Sequence, residues 1–304
     1  MAVSLSQIKS ELLPGLFDVR GSYDMIPRQW DKVFTTHKSN MALERSSQMR
    51  FLGLPQLKAE GGATAFDNNA GERWVFNFEH QEVALGYAIT RKAIDDNLYK
   101  AQFNPTNLKL QESFSQFKEI QGANILNTAT TYNAAIGGDG QALLSPAHPY
   151  DGGTWANTPS VQVDLSESTL LQGMINVRTG FYNEAGLRIL SRARRLVVPA
   201  ALEPQAIRLT KTELRPGTAN NDVNAILTTS GGLPEGYIVL DFLTSNYSWF
   251  LTTNIDGLVH MLRMPFEMDM QVDFVTENLL VKGYERYSFG YNDPRAIYGS
   301  TPSS

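Results

Sequence analysis

The sequence predicts an α+β fold in which a long helix and long antiparallel strands make one discontinuous unit and a smaller α+β unit is inserted into it. Three observations carry this. A long amphipathic segment follows Asn104-Pro105, two runs of strict alternation (267–274 and 281–291) close the chain, and residues 141–262 mix short apolar runs with two shorter helical patterns. Alternation with period two marks half-buried strands, and apolar spacings of three and four mark helices. At about 150 residues per domain, a chain of 304 residues accommodates two such units.

Residues 1–50 read as an irregular N-terminal arm with short helices, because Leu12, Leu13, Leu16 and Phe17 are interrupted by Pro14, Gly15, Gly21 and Pro27. Residues 51–73 carry Gly53, Pro55, Gly61, Gly62 and Gly71 around Asp67-Asn68-Asn69, which is turn chemistry without helical period. Loops of this length inside compact domains are usually functional. Trp74, Phe76 and Phe78, then Val83, Leu85, Tyr87 and Ile89, alternate with their neighbours and predict a strand pair or one long bent strand, part of an extended hairpin. The spacing predicts a helix over about 104–133, with Asn104 as N-cap and Pro105 in the first turn. Leu110, Phe114, Phe117, Gln121 and Ile125 would form its stripe, and the helix would span about 40 Å.

After a loop-rich stretch with Pro146, Pro149, Gly152, Gly153 and Pro159, Ser166 caps a predicted helix to Asn183 whose face is Leu170, Leu171, Met174, Val177 and Phe181. Leu196-Val197-Val198 reads as a buried strand, Glu203–Leu214 as a helix, and Ile238–Leu240, Trp249–Leu251 and Leu258–Met261 as further short strands. The last two long strands turn near Glu277-Asn278 and are expected to pair with the 74–90 segment and pack on the long helix.

The chemistry of the chain is sparse. Zero cysteines exclude disulfides, thiolate zinc sites, iron–sulfur clusters and cysteine nucleophiles. The four histidines, His37, His80, His148 and His260, lie at no metal-ligand spacing; His80 reads as a solvated strand residue and His148 as an ordinary loop residue. Gly137-Gly138-Asp139-Gly140 lacks the Lys-Ser/Thr of a phosphate loop, and Asp67–Glu72 lacks the ligand spacing of a calcium loop. Asp95-Asp96 would cap or flank a short helix. Arg192, Arg194 and Arg195 form the compact basic cluster, a candidate for a neighbouring subunit or DNA, with a solvated face as the plainer reading. A formal charge of −5 argues against a dedicated nucleic-acid binder. The start of the chain has no apolar signal core, and no apolar run reaches membrane-helix length, so neither secretion nor a membrane is expected. No catalytic residue, cofactor or metal is assigned, and the balance favours a structural role over an enzyme.

The order of arm, glycine-studded hairpin, long helix, inserted unit and returning strands resembles the major capsid proteins of tailed bacteriophages with the Hong-Kong-97-type fold, nearest to the Mu-like major head subunit branch. The residues that carry the likeness are Ala84-Leu85-Gly86-Tyr87-Ala88-Ile89-Thr90-Arg91-Lys92-Ala93-Ile94-Asp95-Asp96-Asn97 and Leu196-Val197-Val198-Pro199-Ala200-Ala201-Leu202-Glu203-Pro204. The tail adds Phe266-Glu267, Asp273-Phe274-Val275-Thr276, Tyr284-Glu285-Arg286-Tyr287-Ser288-Phe289-Gly290 and Asp293-Pro294-Arg295-Ala296.

The resemblance implies an N-terminal arm (1–53), an extended loop (54–90), a peripheral domain (91–140 and 263–304) with its spine helix at about 104–133, and an axial domain (141–262). It implies a virion shell of pentamers and hexamers around double-stranded DNA that is enclosed without sequence-specific binding, assembled in the bacterial cytoplasm. A separate scaffold protein, a portal and a decoration protein are the expected partners. Lys58, Phe66, Asp67, Asn69, Glu72, Arg73 and Trp74 are the candidate inter-subunit contacts of the extended loop, with Phe66 and Trp74 as its anchors. Lys58 has no identifiable partner for a covalent cross-link. An encapsulin-like cargo shell, a tail or baseplate protein and, last, a polymer-acting hydrolase with carboxylates in 141–262 are the alternatives.

Overall fold

A computed structural model describes residues 23, 26–64, 66–67, 71–96, 100–213, 224–227 and 232–303. The helical bits expected at 12–17 lie outside the described residues. Two four-stranded sheets organise the rest. In chain order the elements are β1 (Thr35–Lys38), β2 (Leu43–Met49), β3 (Glu72–Glu79), β4 (Gln81–Ile89), α1 (Arg91–Asp95), α2 (Lys100–Asn127), β5 (His148–Tyr150) and β6 (Gly153–Trp155). There follow α3 (Glu167–Gly180), β7 (Ala193–Val198), α4 (Glu203–Lys211), β8 (Tyr237–Val239), β9 (Trp249–Thr253), β10 (Leu258–Val272), β11 (Leu279–Tyr291) and β12 (Ile297–Ser300).

The first sheet has the order β1-β10-β11-β4, with β1 parallel to β10 and the other pairs antiparallel. Its inner face carries Phe266, Met268, Met270, Leu279 and Val281, which pack on Phe103, Leu110 and Phe114 of α2. The helix comes so close that a Cβ on Gly283 would lie 2.8 Å from the Phe114 ring. The predicted pairing of the closing strands with the segment before the long helix therefore forms, through β4 and β11. The second sheet, β12-β9-β7-β8, packs on α3 and α4 through Leu170, Val177, Phe181, Leu196, Val198, Leu209, Trp249 and Leu251. A third cluster, with Trp30, Phe34, Phe76, Phe78, Leu126, Phe250 and Val259, joins the two sheets to the hairpin.

Several expectations are corrected. The lead-in contains two strands: β1 joins the first sheet and β2 is the outgoing strand of the hairpin, paired antiparallel with β3. β2 reads Leu-Glu-Arg-Ser-Ser-Gln-Met and alternates between exposed positions and the half-buried Glu44, Ser46 and Gln48, so it has no apolar alternation to reveal it. The hairpin thus runs from β2 to β3, while β4 belongs to the first sheet. The long helix starts at Lys100, not at Asn104, and keeps Pro105 inside it. Burial of Phe103 draws in the extra turn, and the proline forgoes one backbone hydrogen bond. Phe117 points outward, and the buried stripe instead contains Gln111, Ser115, Lys118 and Glu119.

Leu258–Met261 is the start of one fifteen-residue strand rather than a separate short one. Its ladder with β11 is irregular between Leu262 and Glu267, around Pro265, which has no N–H to give. The end of the chain also crosses over. Ile297–Ser300 pairs with β9 in the second sheet instead of completing the first.

Candidate assembly surfaces

The hairpin is fixed to the body at its root. His80 occupies the single-residue break between β3 and β4 and is buried, not solvated. Its Nε2 lies 2.8 Å from Ser39 Oγ, its Nδ1 lies 3.1 Å from Ser288 Oγ, and Ser39 donates to Glu44 Oε1 at 2.6 Å. That sequence of donors suits a neutral ring protonated on Nε2. Burial, then Arg286, lower the His80 pKa against the opposing pull of Glu44. Higher on the hairpin, Gly138 N–H donates to Val75 O at 3.0 Å and Asn77 N–H to Ile136 O at 2.7 Å. The glycine run after the long helix therefore docks on β3 rather than ending that helix.

Beyond this root residues 51–64 and 66–67 form a loop whose large apolar side chains are exposed. Leu54 is 73% exposed and Phe66 86%, with Phe51, Leu52 and Leu57 exposed beside them. Asp67 Oδ2 accepts from Gly53 N–H at 2.8 Å, which closes the loop on itself. A contiguous exposed apolar set of this kind makes the loop a candidate interaction surface.

The predicted site residues divide between loop and body. Lys58, Phe66 and Asp67 are exposed on the loop; Asn69 lies outside the described residues. Glu72 is exposed and accepts from Ser47 Oγ at 3.2 Å. Arg73 and Trp74 turn toward the body of the subunit: the guanidinium lies 4.2 Å from the Trp74 ring centroid, and Trp74 packs against the central cluster. The basic cluster is not a free patch. Arg194 and Arg195 both pair with Glu235, and Arg192 stays exposed.

Sequence reasoning missed three buried polar centres. His148, far from an ordinary loop residue, is fully buried, with Nδ1 2.6 Å from Asp139 Oδ2 and its ring stacked on Trp155. Lys118 Nζ lies 2.6 Å from Glu285 Oε2 inside the first sheet's core, and burial still pushes the Glu285 carboxyl up. His260 is buried against Trp30 and Phe289, and desolvation lowers its pKa to about 3. The strand alternation of 281–291 already placed Glu285 on the inner face, and that was the one available signal. Asp95 and Asp96 do flank a short helix, at its C-terminal end, where Asp95 pairs with Arg91 at 3.1 Å.

Among the described residues no group of three His, Asp or Glu side chains is placed to hold a metal ion, and no helix is long and apolar enough to cross a membrane. Residues 79–300 match the family model described as phage capsid protein. This chain belongs to the phage capsid protein family. No curated protein matches the sequence.

Among solved structures, the capsid protein is similar to the capsid of an empty GTA particle, with a TM-score of 0.58 and 11% identity over 91% of this chain and 90% of that one. The virus-like particle from Pyrococcus furiosus gives a TM-score of 0.56 at 9% identity, over 95% of this chain and 99% of that one. The procapsid of bacteriophage JBD30 gives 0.52 at 13% identity, over 99% of this chain and 77% of that one. The fold is therefore the Hong-Kong-97-type capsid fold, and the chain is a structural capsid protein.

Proposed function

We propose that this capsid protein is the major head subunit of a tailed bacteriophage, of the Mu-like branch, which closes pentamers and hexamers into an icosahedral shell around double-stranded DNA. The observation that supports this most is the projecting loop. Leu54, Leu57 and Phe66 are exposed in the single subunit, while the strands that carry them are anchored to its body. Apolar side chains held away from their own core gain burial when another copy covers them. The hairpin from β2 to β3 with its loop is the extended loop; the first sheet with α2 is the peripheral domain; the second sheet with α3 and α4 is the axial domain. Lys58, Phe66 and Asp67 are its inter-subunit contacts. A net charge of −5 suits a wall that encloses DNA without holding it. Scaffold, portal and decoration proteins complete the assembly in the host cytoplasm.

Closure requires at least about 60 copies, near two megadaltons against a subunit of 33.8 kDa. Sedimentation velocity with negative-stain imaging is the test. Closed shells, or rings of five and six, are the expected products, and shells recovered from infected cells should contain DNA. A subunit that stays monomeric or dimeric when concentrated with its scaffold would overturn the proposal, and native shells filled with protein cargo would move it to the cargo-compartment class.

A further inference from the structure

We propose that Asp151 is a positioning residue for assembly: a carboxylate gripped by one arginine from each side of the hairpin's neck, which fixes the direction in which the loop leaves the subunit. This rests on the assembly reading above. Arg50 directly follows β2 and Arg73 lies at the start of β3, so both sit at the neck, where Arg50 N–H still pairs with Gly71 O at 2.8 Å. Arg50 Nη2 reaches Asp151 Oδ2 at 2.5 Å, and Arg73 Nη1 reaches Asp151 Oδ1 at 3.1 Å. Each carboxylate oxygen thus holds one side of the neck. Rotating the hairpin would break one pair or the other.

The carboxylate is itself held firmly. It sits in the turn between β5 and β6, and its own N–H donates to Glu184 O at 2.8 Å. Arg73 Nη1 also donates to that Glu184 oxygen, at 3.1 Å. The Glu184 side chain is buried and meets Arg295 at 3.1 Å, and Arg295 forks onto Asp293 with both bonds at 2.8 Å. Two further segments of the chain therefore back the turn that carries Asp151. The root contacts of His80, Asn77 and Val75 hold the lower hairpin, and Gln48 Nε2 adds a bond to Asn292 O at 3.0 Å. Asp151 grips the neck itself, so a small rotation there is multiplied at Leu57 and Phe66.

The grip is also the salt-sensitive part of the network. The Asp151 side chain is 40% exposed and Arg50 31%, whereas Arg295 is 7% exposed. At 1 M salt the screening length falls to about 3 Å, so the exposed pairs weaken first.

The test is amide hydrogen exchange on dispersed subunits of the wild type, Asp151→Asn and Arg50→Gln, at low salt and at 1 M salt, followed by imaging of their assembly products. Peptides covering 43–50 and 71–79 should exchange about three- to five-fold faster in both variants at low salt. The wild type should approach them at 1 M, with β7 and β9 unchanged throughout. Assembled Asp151→Asn should give open sheets or shells of mixed size where the wild type gives one size. Unchanged exchange in both variants, or faster exchange with wild-type shells, overturns the proposal. Should Asp151→Asn accelerate exchange everywhere, Arg50→Gln, which leaves the carboxylate and its Arg73 pair in place, decides. A wild type that never assembles would end the shell reading, while the exchange comparison would still establish or remove the clasp.

Discussion

His260 shows how one side chain ties the fold to pH. In the unfolded chain its pKa is near 6.5, and in the fold desolvation holds it near 3. Between those values the unfolded state binds a proton that the native state refuses. The stabilising contribution is therefore complete above pH 6.5 and is lost progressively as the pH falls toward 3. At pH 4 the loss is about 3 kcal/mol from this group. Denaturant unfolding of dispersed subunits at pH 7 and pH 4 should show a smaller acid-induced loss in His260→Gln than in the wild type. An equal loss in both would show that the ring does not stay neutral.

Gly138 makes a different demand. Its φ is +92°, and an added Cβ would lie 2.4 Å from the Phe76 ring. Both the backbone and the packing refuse a side chain there. Gly138→Ala should destabilise the subunit by about 3 kcal/mol, read as a lower urea midpoint with unchanged slope.

At the scale of elements, α3 was visible in the sequence at its start and along its face, although it stops at Gly180, three residues before the expected Asn183. Ser166 accepts from Thr169 N–H, Thr169 Oγ1 accepts from Ser166 N–H, and Leu170 and Val177 are buried where the three- and four-residue spacing put them. Ser166→Ala should cost about 1 kcal/mol, measured by thermal unfolding; no change would mean that tertiary packing alone sets the start of α3. The hairpin is the opposite case. β3 was legible from Trp74, Phe76 and Phe78, of which the two phenylalanines are buried. β2 was not legible, because the side it turns toward the body carries Glu44, Ser46 and Gln48, which meet hydrogen-bond partners there instead of apolar ones. The long helix lies between these extremes. Leu110 and Phe114 marked its buried face, whereas Phe117 matched the period and still points outward. Lys118 and Glu119 occupy that face because Glu285 and the backbone N–H groups of Gln29 and Trp30 are there to meet them.

At the scale of the molecule, assembly and stability are separable. The loop residues contribute little to the subunit's own core, so Phe66→Asp should leave the melting temperature of the dispersed subunit within about 2 °C and abolish shell formation in sedimentation. Normal shells from Phe66→Asp would remove the loop from the interface. The two sheets are coupled at this scale as well, because β12 returns to pair with β9 after β10 and β11 have completed the first sheet. This crossing places Arg295 beside Glu184, and with it the support behind Asp151.

By itself the sequence determined the α+β class, the long helix, the capped helix after Ser166, the closing pair of strands and the glycine-studded loop of turn residues at 51–73. These are local matters: period, caps and turn residues act over a few neighbours, and a side chain on a strand has just two faces to choose between. The tertiary structure decided the pairing of β2 with β3, the crossing of the last strand, the burial of His80, His148 and Lys118, and the meeting of Arg50, Arg73 and Asp151. Polar partners far apart in the chain, 167 residues in the Lys118–Glu285 pair and 208 in the His80–Ser288 pair, are not matched to each other by any local period. A buried charge is stable only where an opposite charge or hydrogen-bonding groups meet it, and that meeting place exists only once the chain has folded.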